Sequence, residues 1–301
     1  MTSIADPKMT RLRRSVLSVP ASNERAVAKL KTLSVDAVIL DLEDSVADSM
    51  KEEGRKNIRA FCKAKPLTDR ETVIRVNDAA SAHYAADLKL VLECEPDAVL
   101  LPKVRTHDDI LELAAYLGEN EAPESLRIWA MIETPLAILN AGSIAETGRT
   151  PGGRLDCLVI GLNDLRKDTG IKTDPGRALV MPWIMQVLLA GRAFGLSVLD
   201  SVANDFRNLD PFEAECAQGR AMGFDGKMLI HPAQIGAANR HFRPYPDEVA
   251  EAQAIIAAFA KPEAEGLNAI GIDGRMVERL HHEQALALMA RVELIKARDK
   301  A

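Results

Sequence analysis

Eight short apolar runs, separated for the most part by stretches of helical character, constrain this 301-residue chain more than any other feature. They fall at 14–19, 37–44, 72–77, 98–104, 128–133, 157–164, 196–202 and 227–231. Runs this short, with few polar interruptions, read as strands buried on both faces. The clearest stretches between them, at 23–33, 48–64, 107–117, 135–146, 182–194 and 211–222, place apolar residues three and four apart. Alternation of strand and helix implies right-handed βαβ units and parallel strands. Eight such units predict an α/β fold closed into a TIM (β/α)8 barrel rather than an open sheet.

The rhythm sets the expected boundaries. Residues 1–12 read as an N-terminal tail, 13–245 as the barrel and 246–301 as a C-terminal helical lid extension. In that extension, 247–260 has a helical pattern and 276–297 forms a last amphipathic helix. Between them, 261–274 carries three glycines and a proline and reads as a mobile loop. A net charge of −6 disfavours nucleic acid as a general partner. No apolar run is long enough to span a membrane, and the first residues lack the apolar core of a secretory signal. Cys62, Cys94, Cys157 and Cys216 lie far apart with no C-x-x-C pair, so buried reduced thiols in a cytoplasmic protein are expected, not disulfides or zinc.

Polar residues gather where the apolar runs end. AVILDLEDSV passes from a buried strand into Asp41, Glu43 and Asp44. Arg75 follows three apolar residues in TVIRVN; run four ends in Lys103, run five in Glu133, run six in Asn163 and Asp164, and run eight in His231. The C-terminal strand ends of a TIM barrel form one rim, and catalytic residues sit on it. Glu133 and Asp164 are oxygen donors suited to a hard cation that keeps several waters, so Mg2+ is favoured over zinc, with Mn2+ as the alternative. Glu43 and Asp44 are placed to hold the metal's waters. Arg75 suits a substrate carboxylate or an oxyanion, or a structural ion pair with the acids of run two, and both readings can hold. Asn23, Arg25 and Lys29 lie near the start of the first helix, an arrangement that suits phosphate.

RRSVLSVPASNERA, AVILDLEDSV, VIRVN, LLPKV, MIETP, GLNDL, GFDGKMLIHPAQI and GIDGRMVERLH occur here in that order. Together they resemble the HpcH/HpaI aldolase and citrate lyase beta-subunit superfamily, and within it the CoA-ester lyases acting on malyl-CoA, β-methylmalyl-CoA or citramalyl-CoA. The resemblance implies Mg2+ on Glu133 and Asp164, and Arg75 on the reacting oxygen. It implies coenzyme A, as part of the substrate, across Asn23, Arg25 and Lys29, with Asn163 and His231 as further substrate contacts. It implies a homo-oligomer, trimer or hexamer, whose lid presents Asp273 to a neighbouring subunit's site. Asp273 otherwise reads as an N-cap for the last helix. The activity implied is an oxo-acid-lyase splitting a 3-hydroxy-3-carboxyacyl-CoA into an acyl-CoA and a small 2-oxo acid such as glyoxylate. The alternatives are a malyl-CoA thioesterase, a citrate lyase beta subunit acting on an acyl-carrier thioester, and a catalytically silent scaffold. The intact acids and Arg75 speak against the last. The residues over 165–182 are where acyl preference would vary.

Overall fold

All eight apolar runs are strands, and they close on themselves. The computed structural model describes residues 11–172 and 174–299. Strands β1 (Ser15–Pro20), β2 (Ala37–Asp41), β3 (Glu71–Arg75), β4 (Ala98–Leu101), β5 (Arg127–Ile132), β6 (Leu155–Ile160), β7 (Ser197–Asp200) and β8 (Gly226–Leu229) pair in chain order. Every pairing is parallel, and β8 returns to β1. The barrel belongs to one compact unit, Arg13–Phe242. A second unit takes the chain from Arg243 onward together with Arg11 and Leu12. The rest of the predicted tail lies outside the described residues.

The barrel's helices are α1 (Glu24–Lys29), α2 (Lys51–Ala64), α3 (Tyr84–Cys94), α4 (His107–Glu119), α5 (Pro135–Leu139), α6 (Ala141–Glu146), α7 (Leu162–Thr169), α8 (Met181–Ala193), α9 (Leu209–Met222) and α10 (Ile235–His241). Three of these, α3, α7 and α10, went unread in the sequence. The helix expected over 135–146 is two, parted at Asn140. Run six also ends earlier than expected. β6 stops at Ile160, so Asn163 and Asp164 stand in the first turn of α7 rather than on the strand. GLND continues the apolar run by only one residue, and Gly161 as N-cap turns the chain into the helix.

Period-two alternation explains how each strand divides its residues. On β2, Val38 and Leu40 pack outward against the helices, while Ala37 and Ile39 fill the interior. Val73 on β3, Trp129 and Met131 on β5, and Cys157 and Val159 on β6 complete much of that inner core. The same alternation extends inward-facing positions to both ends of the barrel. At the N-terminal end, Glu71 accepts two hydrogen bonds from buried Arg13, at 2.6 and 2.7 Å. Arg13 also bonds Asp156 and lies over the Trp129 ring, 4.6 Å from its centroid. This closes the barrel floor with a paired cation instead of an apolar plug.

In the second unit, α11 (Pro246–Phe259) and α12 (Arg279–Arg298) flank a hairpin, β9 (Ala269–Ile272) and β10 (Arg275–Glu278). The mobile loop expected over 261–274 is therefore largely structured. Asp273 and Gly274, at φ 49° and 77°, form its two-residue turn. Two consecutive positive φ values are what Asp-Gly supplies in a hairpin whose turn must follow the strand twist. Asp273 is thus no helix cap; Glu278 occupies that position for α12. No helix among the described residues is long and apolar enough to cross a membrane.

Arg13→Met is expected to destabilise the protein by about 3–5 kcal/mol, because it strands the buried Glu71 carboxylate without a cation. Chemical denaturation measures this, and an unchanged midpoint would show that the floor cluster contributes nothing.

Candidate active site

Three inward positions reach the C-terminal mouth: Asp41 two residues beyond Ile39, Arg75 two beyond Val73, and Glu133 two beyond Met131. Asp41 and Arg75 are register partners on adjacent strands. Arg75 donates from Nε to Asp41 Oδ1 at 2.6 Å and from Nη2 to Oδ2 at 2.5 Å. The fork leaves Nη1 directed elsewhere, 3.2 Å from Glu43 Oε2 and beside the Met131 sulfur. Burial pushes the Asp41 carboxyl up, but Arg75 outweighs it and holds the group below its ordinary value. Arg75 therefore has both sequence roles open to it. It is a structural partner through two nitrogens and presents a third to the site.

The turn after β2 is tied down at every step. Asp41 accepts from the Glu43 amide at 2.8 Å and from the Ser45 hydroxyl. Lys51, at the start of α2, donates to the Leu42 and Glu43 carbonyls at 2.8 and 2.9 Å. Glu43 is buried, and its Oε1 accepts from Lys103 Nζ at 2.5 Å. Asp44 stays exposed, 3.4 Å from the same ammonium.

Lys103 was legible as a strand-end cation, but its part in the site was not. Its φ of 52° is a left-handed conformation that favours glycine. That geometry points its backbone N–H at Glu133 Oε1, 2.7 Å away. One residue thus orients Glu133 with its amide and Glu43 with its ammonium. Gly161 was missed as well. A Cβ there would stand 2.5 Å from Glu133 Cβ and 2.6 Å from Oε2, so glycine is what admits the carboxylate. The signal was the glycine directly after run six.

Glu133 is almost wholly buried. Burial pushes its pKa up to about 8, with Glu43 and Asp164 adding to the rise against Arg75 and the Lys103 amide. Arg75 and the Lys103 amide do not offset the burial, so a further positive charge would favour the ionised form. Glu133 and Asp164 line one cavity of about 500 Å³, with Lys103, Arg105, Thr134 and Lys167 around them. Among the described residues, no group of three or more His, Cys, Asp or Glu side chains is arranged to hold a metal. Two carboxylates beside an open cavity fit Mg2+, which keeps several waters, better than a metal needing a closed protein shell.

The remaining expected residues are dispersed along the rim. Asn23 is exposed and caps α1 by accepting from the Ala26 amide at 3.1 Å. Arg25 and Lys29 are exposed on that helix. Asn163 exchanges two hydrogen bonds with Asn204, at 3.1 and 3.0 Å. His231 accepts from the Ala233 amide through Nδ1 and stacks on Phe206, centroids 4.4 Å apart. Asp273 belongs to the other unit.

A barrel whose mouth pairs a buried Arg–Asp fork with two carboxylates has known relatives. The family model for HpcH/HpaI aldolase/citrate lyase matches residues 14–232, and this chain belongs to that family. It is 40% identical over 284 residues to a (3S)-malyl-CoA thioesterase of Cereibacter sphaeroides, covering 94% of this chain and 96% of that one. It is 30% identical over 294 residues to the mitochondrial citramalyl-CoA lyase of Mus musculus, covering 94% and 87%. Its fold is similar to that of the protein CitE of Mycobacterium tuberculosis, solved with magnesium, acetoacetate and coenzyme A. The TM-score is 0.74 at 28% identity, covering 94% of this chain and 98% of that one.

The raised pKa of Glu133 makes stability depend on pH and metal. Between the ordinary 4.5 and about 8, the folded metal-free protein keeps a proton that the unfolded chain has lost. The contribution of protonated Glu133 is full below the lower value and drains away as pH rises toward the upper one. In EDTA the unfolding free energy is expected to fall across that window, less so in Glu133→Gln. Saturating Mg2+ should flatten the wild-type slope by favouring the charged carboxylate. Denaturation curves at several pH values read this, and identical slopes for wild type and Glu133→Gln would exclude Glu133 as the source.

Proposed function

We propose that this protein is a Mg2+-dependent CoA-ester lyase that splits a malyl-CoA-type thioester into an acyl-CoA and a 2-oxo acid such as glyoxylate. The observation that carries this reading is the buried Glu133, its pKa raised, beside Asp164 and within reach of the field of Arg75. Magnesium, when bound, supplies Lewis acidity toward the oxygens of the 2-oxo acid. Glu133 and Asp164 would hold it. Glu43 and Asp44 would accept hydrogen bonds from its waters, in competition with Lys103.

The residues of the chain divide the remaining work. Cleavage between C2 and C3 removes the proton of the C3 hydroxyl and leaves an enolate on the acyl-CoA, which then takes a proton at C2. Arg75 offers Nη1 to the oxygen on which charge develops, while the Asp41 fork keeps the guanidinium from turning. Arg105 and Lys167 give the cavity edge positive charge suited to an acidic substrate. Asn23, Arg25 and Lys29 on α1 serve the phosphates of coenzyme A, and Asn163 and His231 contact the substrate. Asp273 moves the proton in the site of a neighbouring subunit of a homo-oligomer. Its exposed place on a hairpin tip supports that role. A cytoplasmic protein is consistent with this chemistry.

Hydrolysis of the same thioester is the second reading, and the thioesterase relative favours it. Products separate the two. With (3S)-malyl-CoA and Mg2+, a lyase releases glyoxylate and acetyl-CoA, and a thioesterase releases malate and free coenzyme A. We expect glyoxylate; malate alone would overturn the lyase reading. Glu133→Ala and Asp164→Ala should lose Mg2+-dependent turnover under either reading. Arg75→Lys keeps the charge but loses the fork, and its turnover is expected to fall about 100-fold or more.

Asp273→Asn is expected to bind Mg2+ and acyl-CoA normally and to turn over poorly, since an amide relays no proton. Mixing Asp273→Asn with Arg75→Ala protomers should restore part of the activity. No restoration in verified mixed oligomers would exclude sharing between subunits.

A further inference from the structure

Two cysteines that stand far apart in the sequence share one pocket at the opposite end of the barrel. Cys62 lies in the last turn of α2 and Cys94 is the last residue of α3. Both helices end in left-handed residues, Lys65 and Glu95, at φ 43° and 45°, and deliver the chain to the N-terminal ends of β3 and β4. Both thiols are half-buried, in contrast to Cys157 and Cys216, which are buried. They line a cavity of about 220 Å³ with Lys65, Thr68, Pro96 and Asp97 among its walls. Both side chains open onto it, and α2 packs against α3. One helical turn earlier, Arg59 bonds Glu93 at 2.7 Å, so an ion pair joins the two helices beside the thiols. All four thiols are free, as expected from the sequence, but the expected burial holds only for Cys157 and Cys216.

We infer that Cys62 and Cys94 form a thiol–disulfide site, oxidised to an intramolecular disulfide by low-molecular-weight disulfides. Neither residue takes part in the mouth of the barrel, and nothing in the proposed lyase reaction uses them. Adjacent thiols in an open pocket have two properties that buried single thiols lack: access for a reagent, and a second sulfur to resolve the first adduct.

The mutual influence of the two neighbouring thiols orders the two steps. The interaction of the two thiols holds the Cys94 pKa below its ordinary value, with burial and Glu93 opposing and Arg59 helping, and together with burial it raises that of Cys62. The Cys94 thiolate attacks one sulfur of the reagent disulfide, forming a mixed disulfide and releasing one reagent thiolate. Cys62 then gives up its proton and attacks the Cys94 sulfur. The protein disulfide forms, and the second reagent thiolate leaves. The protein loses two protons and two electrons, and the reagent disulfide is reduced to two thiols.

Intact-mass and peptide analysis after incubation with oxidised glutathione tests this on the full-length protein. The wild type is expected to lose the mass of two hydrogens, to yield a peptide joining Cys62 to Cys94, and to recover on reduction. Cys62→Ser lacks the resolving thiol and should stop at a glutathione adduct on Cys94. Cys94→Ser should react much more slowly. All three proteins should keep wild-type basal activity under reducing conditions, which also reports that they are folded. Stable glutathione adducts on the wild type without the cross-link, or no reaction at either thiol, would overturn the inference.

Discussion

The ion pair between Asp41 and Arg75 is the constraint on which the mouth of the barrel depends. Both groups are buried, and a buried charge deprived of its partner costs several kcal/mol. The pair therefore holds only while β2 and β3 keep the register that sets Asp41 opposite Arg75. A slip of either strand by one residue would turn its charge toward the apolar layer between strands and helices and leave the other unpaired. With the register fixed, the rest follows in sequence. Asp41 anchors the Glu43 amide, Arg75 and Lys103 hold the Glu43 carboxylate, and the amide of Lys103 orients Glu133. Each charge in the chain is placed by the one before it.

Such a chain would be a poor device for stability alone, since apolar packing would serve at least as well. Its form suits a site that must accept another charge. Glu43 Oε2 is buried without a hydrogen bond, 3.2 Å from Arg75 Nη1, and Glu133 is pushed toward protonation. Burial raises the pKa of both carboxylates despite the cations already near them, so both would gain from a further one. The floor of the barrel is the contrast. There Glu71, on the same strand and face as Arg75, is saturated by Arg13, and no carboxylate is left waiting. β3 thus carries at one end a guanidinium with a nitrogen outside its ion-pair fork and at the other a saturated carboxylate, four residues apart. Buried Asp200, at the end of β7, repeats the structural pattern, accepting from both Arg177 and Lys227.

Family membership narrows the chemistry without choosing between its two bonds. A lyase and a thioesterase both need the acyl-CoA and the acid held at this mouth, and the difference is which electrophile is exposed. The enclosure of Arg75 Nη1 and Glu133 suits stabilisation of charge on a substrate oxygen, which carbon–carbon cleavage and thioester hydrolysis both need. The similarity to a thioesterase over nearly the full chain keeps water as the competing nucleophile.

Much of this was readable in the sequence, because burial of a strand leaves a periodic mark on the residues that form it. The eight strands, the parallel closed barrel, and the strand-end positions of Asp41, Arg75, Lys103 and Glu133 follow from apolar runs that end in charge. The hairpin carried its own mark in Asp-Gly between AIGI and RMVE, a local signal that the glycine count of the loop obscured. Other features have no local mark. The end of β6 depended on Gly161 making room for Glu133, a contact between residues 28 apart in number but adjacent across the barrel mouth. The left-handed turn of Lys103 is set by what its amide must reach. The pairing of Cys62 with Cys94 exists because α2 and α3 end side by side. The sequence determined which residues are buried and which carry charge. Only the closed barrel decided which of them meet, because contact across strands and helices is a property of register and closure rather than of spacing along the chain.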